Sequence, residues 1–124
     1  MKAVALPPSH ATSNGRGRAE GDLTHADSIT AAARGVDAMF VFEPVSASPD
    51  AREHGIANAI EASKTAGIPH VVLSTSGGVP PTPSGAPILD AKRVMVENAK
   101  RLRPDLVILE PRFYLENLAG PWTR

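Results

Sequence analysis

The stretch Gly67-Ile68-Pro69-His70-Val71-Val72-Leu73-Ser74-Thr75-Ser76-Gly77-Gly78 decides how the rest of the chain is read. Gly67 ends the helix before it by accepting a left-handed turn, and Pro69 blocks continuation because it has no amide donor. His70 to Thr75 is a short apolar run with β-branched residues, the pattern of a strand buried in a sheet. Small residues follow at once, so the chain turns there. On the N-terminal side lies a helix from about Ala51 to Ala66, whose Ile56, Ala59, Ile60, Ser63 and Ala66 share one face. A turn-rich loop, Pro44 to Asp50, separates it from another apolar run, Ala38 to Phe42, which reads as a strand covered on both faces. On the C-terminal side, a glycine- and proline-rich loop (Ser76 to Pro87) leads to a helix from roughly Ile88 to Leu102. Its apolar stripe is Ile88, Ala91, Met95, Ala99 and Leu102. Pro104 follows, and Leu106-Val107-Ile108-Leu109 is the third strand.

Strand, helix, strand, helix, strand is the pattern of right-handed parallel crossovers. The expected fold class is therefore α/β, a partial Rossmann-like doubly wound parallel sheet. Upstream, Thr24 or Asp27 can cap a short helix through Ala33, and Gly35 suits its end. His10 to Gly21 is polar and glycine-bearing and reads as loop or disorder, with order beginning at Gly21-Asp22-Leu23. Residues 1–20 form a poorly patterned segment in which Met1 to Leu6 is a candidate remnant strand; residues 21–124 form the domain. Pro111 to Arg124 reads as loop with one helical turn around Leu115–Ala119.

Composition excludes several classes. Basic and acidic residues number 13 each, so no net field draws the chain to nucleic acid or to an anionic membrane. Only 4% of residues are aromatic, too few for a base-stacking surface. With no cysteine there is no disulfide framework, thiolate zinc site or cysteine nucleophile. The start lacks the apolar run of a signal peptide, and no segment is long enough to span a membrane. A soluble, cytoplasmic protein is expected. His10, His25, His54 and His70 are scattered, so no metal site is expected.

In such a sheet, ligands bind beyond the carboxyl ends of the strands. Those positions are Glu43 and Pro44, Ser74 to Gly78, and Glu110 to Tyr114. Each loop alone also reads as ordinary turn chemistry.

Taken in order, Gly21-Asp22-Leu23, Gly35-Val36-Asp37-Ala38, Val41-Phe42-Glu43-Pro44, His70 to Gly77, Lys92, and Glu110 to Leu118 resemble the NmrA-like family. These are atypical members of the short-chain dehydrogenase/reductase superfamily that bind NAD(P). The resemblance runs from about Gly21 to Trp122 and implies a role for each matching residue. Asp22 and Leu23 would lie near the adenine; for Asp22 the alternative is a helix-start charge. Phe42, Glu43 and Pro44 would line the cofactor's ribose side. Ser74, Thr75 and Ser76 would offer hydroxyls near the nicotinamide, Ser74 to the substrate carbonyl. Pro111, Phe113 and Tyr114 would close over the nicotinamide end, with Asn117 supporting them. Lys92 would bond the nicotinamide ribose and assist proton transfer, against the alternative of a solvated surface charge. Typical reductases of the superfamily place a tyrosine four residues before this lysine, on the same helix face; here that position is Ile88.

The Gly-x-Gly-x-x-Gly turn that grips the pyrophosphate in this fold is not in the chain, since Gly15-Arg16-Gly17 follows no strand and opens no helix. The resemblance aligns Met1–Leu6 with the family's second strand and leaves its first strand and its smaller substrate portion without counterparts. The edge of Ala38–Phe42 is then expected to stand unpaired and prone to self-association, unless Met1–Leu6 or another chain pairs with it. Weak or undetectable NAD(P)H affinity is expected of these 124 residues. Three readings remain: part of an enzyme that reduces a small carbonyl or quinone with NADP or NAD as cofactor, a non-catalytic dinucleotide-sensing module, or a truncated gene product without its own activity.

Overall fold

The computed structural model describes residues 2–5, 19–42 and 48–112, with side chains from residue 21 onward. Its elements in chain order are β1 (Lys2–Ala5), β2 (Ala19–Asp22), α1 (Ala26–Ala32), β3 (Ala38–Phe42), α2 (Pro49–Thr65), β4 (His70–Ser74), α3 (Pro87–Leu102) and β5 (Val107–Leu109). The sheet that matters for function is parallel, in the order β3-β4-β5. Each crossover passes through a helix, as the alternation of sequence patterns implies.

Local chemistry fixes the helix ends. Ser48 accepts the Ala51 amide at 3.3 Å, Pro49 occupies the first turn of α2, and Gly67 takes φ 69° just past its end. The α3 helix starts at Pro87 without a capping side chain from Ala86. Asp90 reaches back instead, accepting the Ser84 amide at 2.7 Å, the Ser84 hydroxyl at 2.9 Å and the Gly85 amide at 3.0 Å. Those bonds, the Ser84 amide foremost, hold the Asp90 carboxyl below its ordinary pKa of 3.8. A folded-state value below the unfolded one stabilises the fold above about pH 4 and is lost as pH falls through the folded value. We expect the midpoint of thermal unfolding to drop as pH is lowered past 3.8, with a shallower drop in Asp90→Asn. An unchanged slope in that variant would contradict the assignment.

The helix faces come out as the spacing implies, with instructive differences. In α2, Ile56, Ala59, Ile60 and Ser63 are buried, and so are Gly55 and Ala62, because the helix packs against α1 and α3. In α3, Met95, Val96 and Ala99 are buried, while Ile88, on the expected stripe, is 68% exposed in the first turn. Leu73, Ile60, Ile56 and Ile68 lie at the centre of the core.

Four expectations need correction. Neither Thr24 nor Asp27 caps α1: His25 holds that position without a side-chain bond, and the Thr24 hydroxyl donates to Asp22 at 2.7 Å. Order does not begin at Gly21, since Lys2–Ala5 is a strand and so is Ala19–Asp22. That strand pairs antiparallel with Lys2–Ala5, Lys2 opposite Asp22, so the N-terminal strand does not pair with β3. Finally, β3 is not covered on both faces. Val41, Leu73 and Ile108 face the helices, whereas Phe40, Phe42, Val107 and Leu109 are exposed on the opposite face. Among the described residues, the helices pack on one side of the sheet.

Candidate functional site at the carboxyl ends of the parallel strands

The parallel register sets Phe42, Ser74 and Leu109 level, so the loops beyond them emerge together. Beyond β4 the turn is tied down from below. The Thr75 amide donates to the Leu109 carbonyl at 3.0 Å, and its fully buried hydroxyl donates to the Gly77 carbonyl at 2.5 Å. Ser74 is also buried, as the last residue of the central strand. Ser76 is the exposed hydroxyl of the three, at φ 56°, a left-handed conformation unusual for a residue other than glycine. Such strain persists where the surrounding structure over-determines it, here through the bonds of Thr75 on one side and two glycines on the other.

Side chains from other elements reach this turn. The Lys92 amine on α3 lies 3.6 Å from where a Cβ on Gly77 would stand. The Arg112 guanidinium, just after β5, lies 3.1 Å from the same position on Gly78. The Glu110 carboxylate accepts the Val79 amide at 3.1 Å and stands 3.8 Å from Arg112 Nη2. Lys92 also lines a recess of about 20 Å³ with Pro49, Arg52, Ile88, Ala91 and Met95. One turn along α3 from Lys92, at the position where typical reductases place tyrosine, Ile88 presents only hydrocarbon.

The structure thus brings Ser74, Thr75, Ser76, Pro111 and Lys92 to one end of the sheet, with Phe42 at its edge. Asp22 and Leu23 belong to the other sheet and its exit. Leu23 is core, and its carbonyl accepts from Asn58 of α2 at 2.8 Å, which ties that exit to the helix layer. The Asp22 carboxylate accepts the Thr24 hydroxyl at 2.7 Å and the Thr24 amide at 2.9 Å, and these bonds hold its pKa below the ordinary value. Glu43, Pro44, Phe113, Tyr114 and Asn117 lie outside the described residues. Sequence reasoning gave neither Arg52 nor Arg112 a role, although Arg112 lies in the Glu110 to Tyr114 loop it placed at the carboxyl ends of the strands. The signal for Arg52 was its place in the first turn of α2, which starts at the carboxyl end of β3.

A larger cavity, about 290 Å³, lies between α2 and α3, with Glu53, Met95 and Asn98 in its wall. It sits in the helix layer and shares Met95 with the recess that Lys92 lines. Among the described residues no helix is long and apolar enough to cross a membrane.

The pattern of the NAD(P)H-binding domain family matches residues 3–120, nearly the whole chain. No curated protein sequence matches. Among solved structures, the fold is similar to triphenylmethane reductase from Citrobacter sp., at 15% identity and TM-score 0.63 over 79% of this chain and 33% of that one. The same reductase complexed with NADP(H) superposes at TM-score 0.64 and 17% identity, over 81% of this chain and 34% of that one. At such identities the likeness concerns the fold, and the chain spans about a third of the length of those proteins. The family match, the parallel β3-β4-β5 sheet and the loops gathered at its carboxyl end agree: this chain belongs to the NAD(P)H-binding domain family.

Proposed function

We propose that the chain forms the nicotinamide side of an NmrA-like reductase, in which the complete protein reduces a small carbonyl or quinone with NADPH or NADH in the cytoplasm. The observation that carries this reading is the Lys92 amine standing over the Ser74–Gly78 turn. From there an ammonium can bond a ribose hydroxyl, and the neighbouring Ser76 hydroxyl can hold a carbonyl oxygen. Ser74, buried beneath, shapes the floor that places them. The bound dinucleotide would supply hydride, while Lys92 would keep a proton available where charge develops on the substrate oxygen.

The test is NADPH oxidation against a panel of aldehydes and quinones at high cofactor concentration. Lys92→Ala should lower turnover by about a hundredfold, the usual worth of a positioned proton donor. Undiminished turnover in that variant would remove Lys92 from the mechanism. Cofactor affinity itself should be weak in these 124 residues, because backbone donors of a Gly-x-Gly-x-x-Gly turn are not among them. Fluorescence titration with NADPH measures this directly, and a tight complex would contradict it.

One observation favours a second reading, a dinucleotide-sensing module without turnover. Ile88, exposed one helical turn from Lys92, offers no proton where a tyrosine would. Saturable NADPH binding with no oxidation across the panel would select it.

A further inference from the structure

Both ends of the turn that follows β4 are gripped by consecutive residues at the end of β5. The Thr75 amide donates to the Leu109 carbonyl at 3.0 Å, which fixes the entry to the turn. The Glu110 carboxylate accepts the Val79 amide at 3.1 Å, which fixes its exit. Between these anchors lie Ser76, Gly77 and Gly78. Ser76 is at φ 56°, a conformation its own side chain does not favour. The glycines add little stiffness, since glycine visits more backbone conformations than any other residue. The shape of the turn therefore depends on what holds it from outside.

The two anchors differ in kind. Leu109 uses its backbone, which any residue could supply, whereas Glu110 uses its side chain, so the exit of the turn hangs on one residue type. A carboxylate is the stronger kind of acceptor for an amide, and this bond is partly sheltered, with Val79 packed against the core. The same carboxylate stands 3.8 Å from Arg112 Nη2, but that guanidinium is exposed and such a pair contributes little in water. The bond to Val79 is thus the main thing Glu110 offers the fold. What it holds in place matters to the site. The turn carries the Ser76 hydroxyl, and the Cβ position on Gly77 lies 3.6 Å from the Lys92 amine.

We infer that Glu110 is a positioning residue of the site: through the Val79 amide it fixes the Ser76–Gly78 turn, and with it the place where the Ser76 hydroxyl meets a substrate carbonyl. This rests on the reductase reading above and adds to it a residue that acts through the turn rather than on the substrate. Glutamine keeps an oxygen that can accept the Val79 amide, whereas alanine removes the acceptor. Comparing the two separates the hydrogen bond from the charge that faces Arg112.

The experiment follows amide hydrogen exchange by magnetic resonance in the 124-residue chain as wild type, Glu110→Gln and Glu110→Ala. Alongside it, kcat and KM are measured for NADPH oxidation across the aldehyde and quinone panel. In Glu110→Ala, exchange at Val79 should quicken by at least about tenfold. The amide signals of Ser76, Gly77 and Gly78 should move, while Ile60 and Leu73 in the core keep their protection. The kcat should fall about tenfold with the KM for NADPH within about twofold, because a reacting group is misplaced and no cofactor contact is lost. Glu110→Gln should return both exchange and kcat close to wild type. Unchanged Val79 exchange in Glu110→Ala, a glutamine variant that behaves like the alanine one, or full kcat in an alanine variant whose turn has loosened overturns the inference. Failure of the reductase reading looks different: the wild type oxidises no NADPH, and amide exchange alone then decides whether Glu110 fixes the turn.

Discussion

Replacing Arg103 with methionine will lower the unfolding free energy of the chain by about 3 kcal/mol. Arg103 follows α3 directly, yet its side chain turns inward and the residue is only 8% exposed. Its guanidinium donates to the Ser63 hydroxyl at 3.0 Å, to the Ile68 and Pro69 carbonyls at 2.7 and 3.1 Å, and to both Asp105 carboxylate oxygens at 3.1 and 3.3 Å. One side chain thereby joins the end of α2, the loop into β4 and the loop into β5. Ser63 is itself fully buried and donates to the Ile60 carbonyl, so the network reaches into the core. Methionine preserves the apolar stem but removes the donor to the buried Ser63 hydroxyl and Ile68 carbonyl, and buried acceptors left unpaired carry their full desolvation cost, whereas the exposed Asp105 and Pro69 can turn to water. Lysine should recover only part of the loss, because a point charge cannot replace a planar fork bonded on several sides. Denaturant titration of the wild type, Arg103→Met and Arg103→Lys decides the matter. A loss under about 1 kcal/mol in the methionine variant would show that the clamp is dispensable.

What the sequence disclosed and what it hid divide along physical lines. The β3-β4-β5 elements and the two long helices were legible because periodicity and glycine act locally, as where Gly67 takes its left-handed turn; Pro49 and Pro87, read as loop residues, instead open their helices. The cap of α1 was misread because Thr24 had a nearer partner in Asp22, a competition that composition does not show. Arg103 was invisible for a different reason. An arginine next to proline and aspartate reads as surface, and only tertiary packing reveals three acceptors from distant segments around it.

The candidate site shows the same division. Its loops were legible because strand ends can be read from sequence, and Ser74 and Ser76 lie on them; Lys92, on α3, was singled out only through the family resemblance. The reach of Arg112, in one of those loops, to Gly78 was not legible, since the length of an arginine side chain lets it go to several places and the fold selects one. Thr75 was read as a hydroxyl facing ligand, yet its bond to Gly77 makes it a brace for the turn. The exposed face of the sheet also escaped the reading. A continuous apolar strand implies cover on both sides, and nothing local to Ala38–Phe42 indicates that the described helices cover one.

That bare face leads to the second large effect: we expect the chain to self-associate through it, and Phe40→Lys to leave it monomeric. Phe40 and Phe42 are each 60% exposed, with ring centroids 6.5 Å apart, and Val107 and Leu109 extend the apolar surface across the sheet. Among the described residues β3 pairs only with β4, so no described strand covers its outer edge. A phenylalanine at this exposure leaves on the order of 100 Å² of ring in water, about 2.5 kcal/mol if covered. In a symmetric pair the position counts twice, so a lysine there removes about 5 kcal/mol before its own charge is considered. Against the cost of association, that should weaken self-association by at least a hundredfold, roughly. Lysine also blocks edge pairing, because a charge at a strand edge resists addition of another strand. Val94→Lys, at an exposed apolar position on α3, is the control and should leave association unchanged. Sedimentation velocity across a concentration series distinguishes the outcomes. A wild-type chain that stays monomeric throughout and unfolds in one sharp transition would show that this surface is tolerated in water, and the expectation would fail.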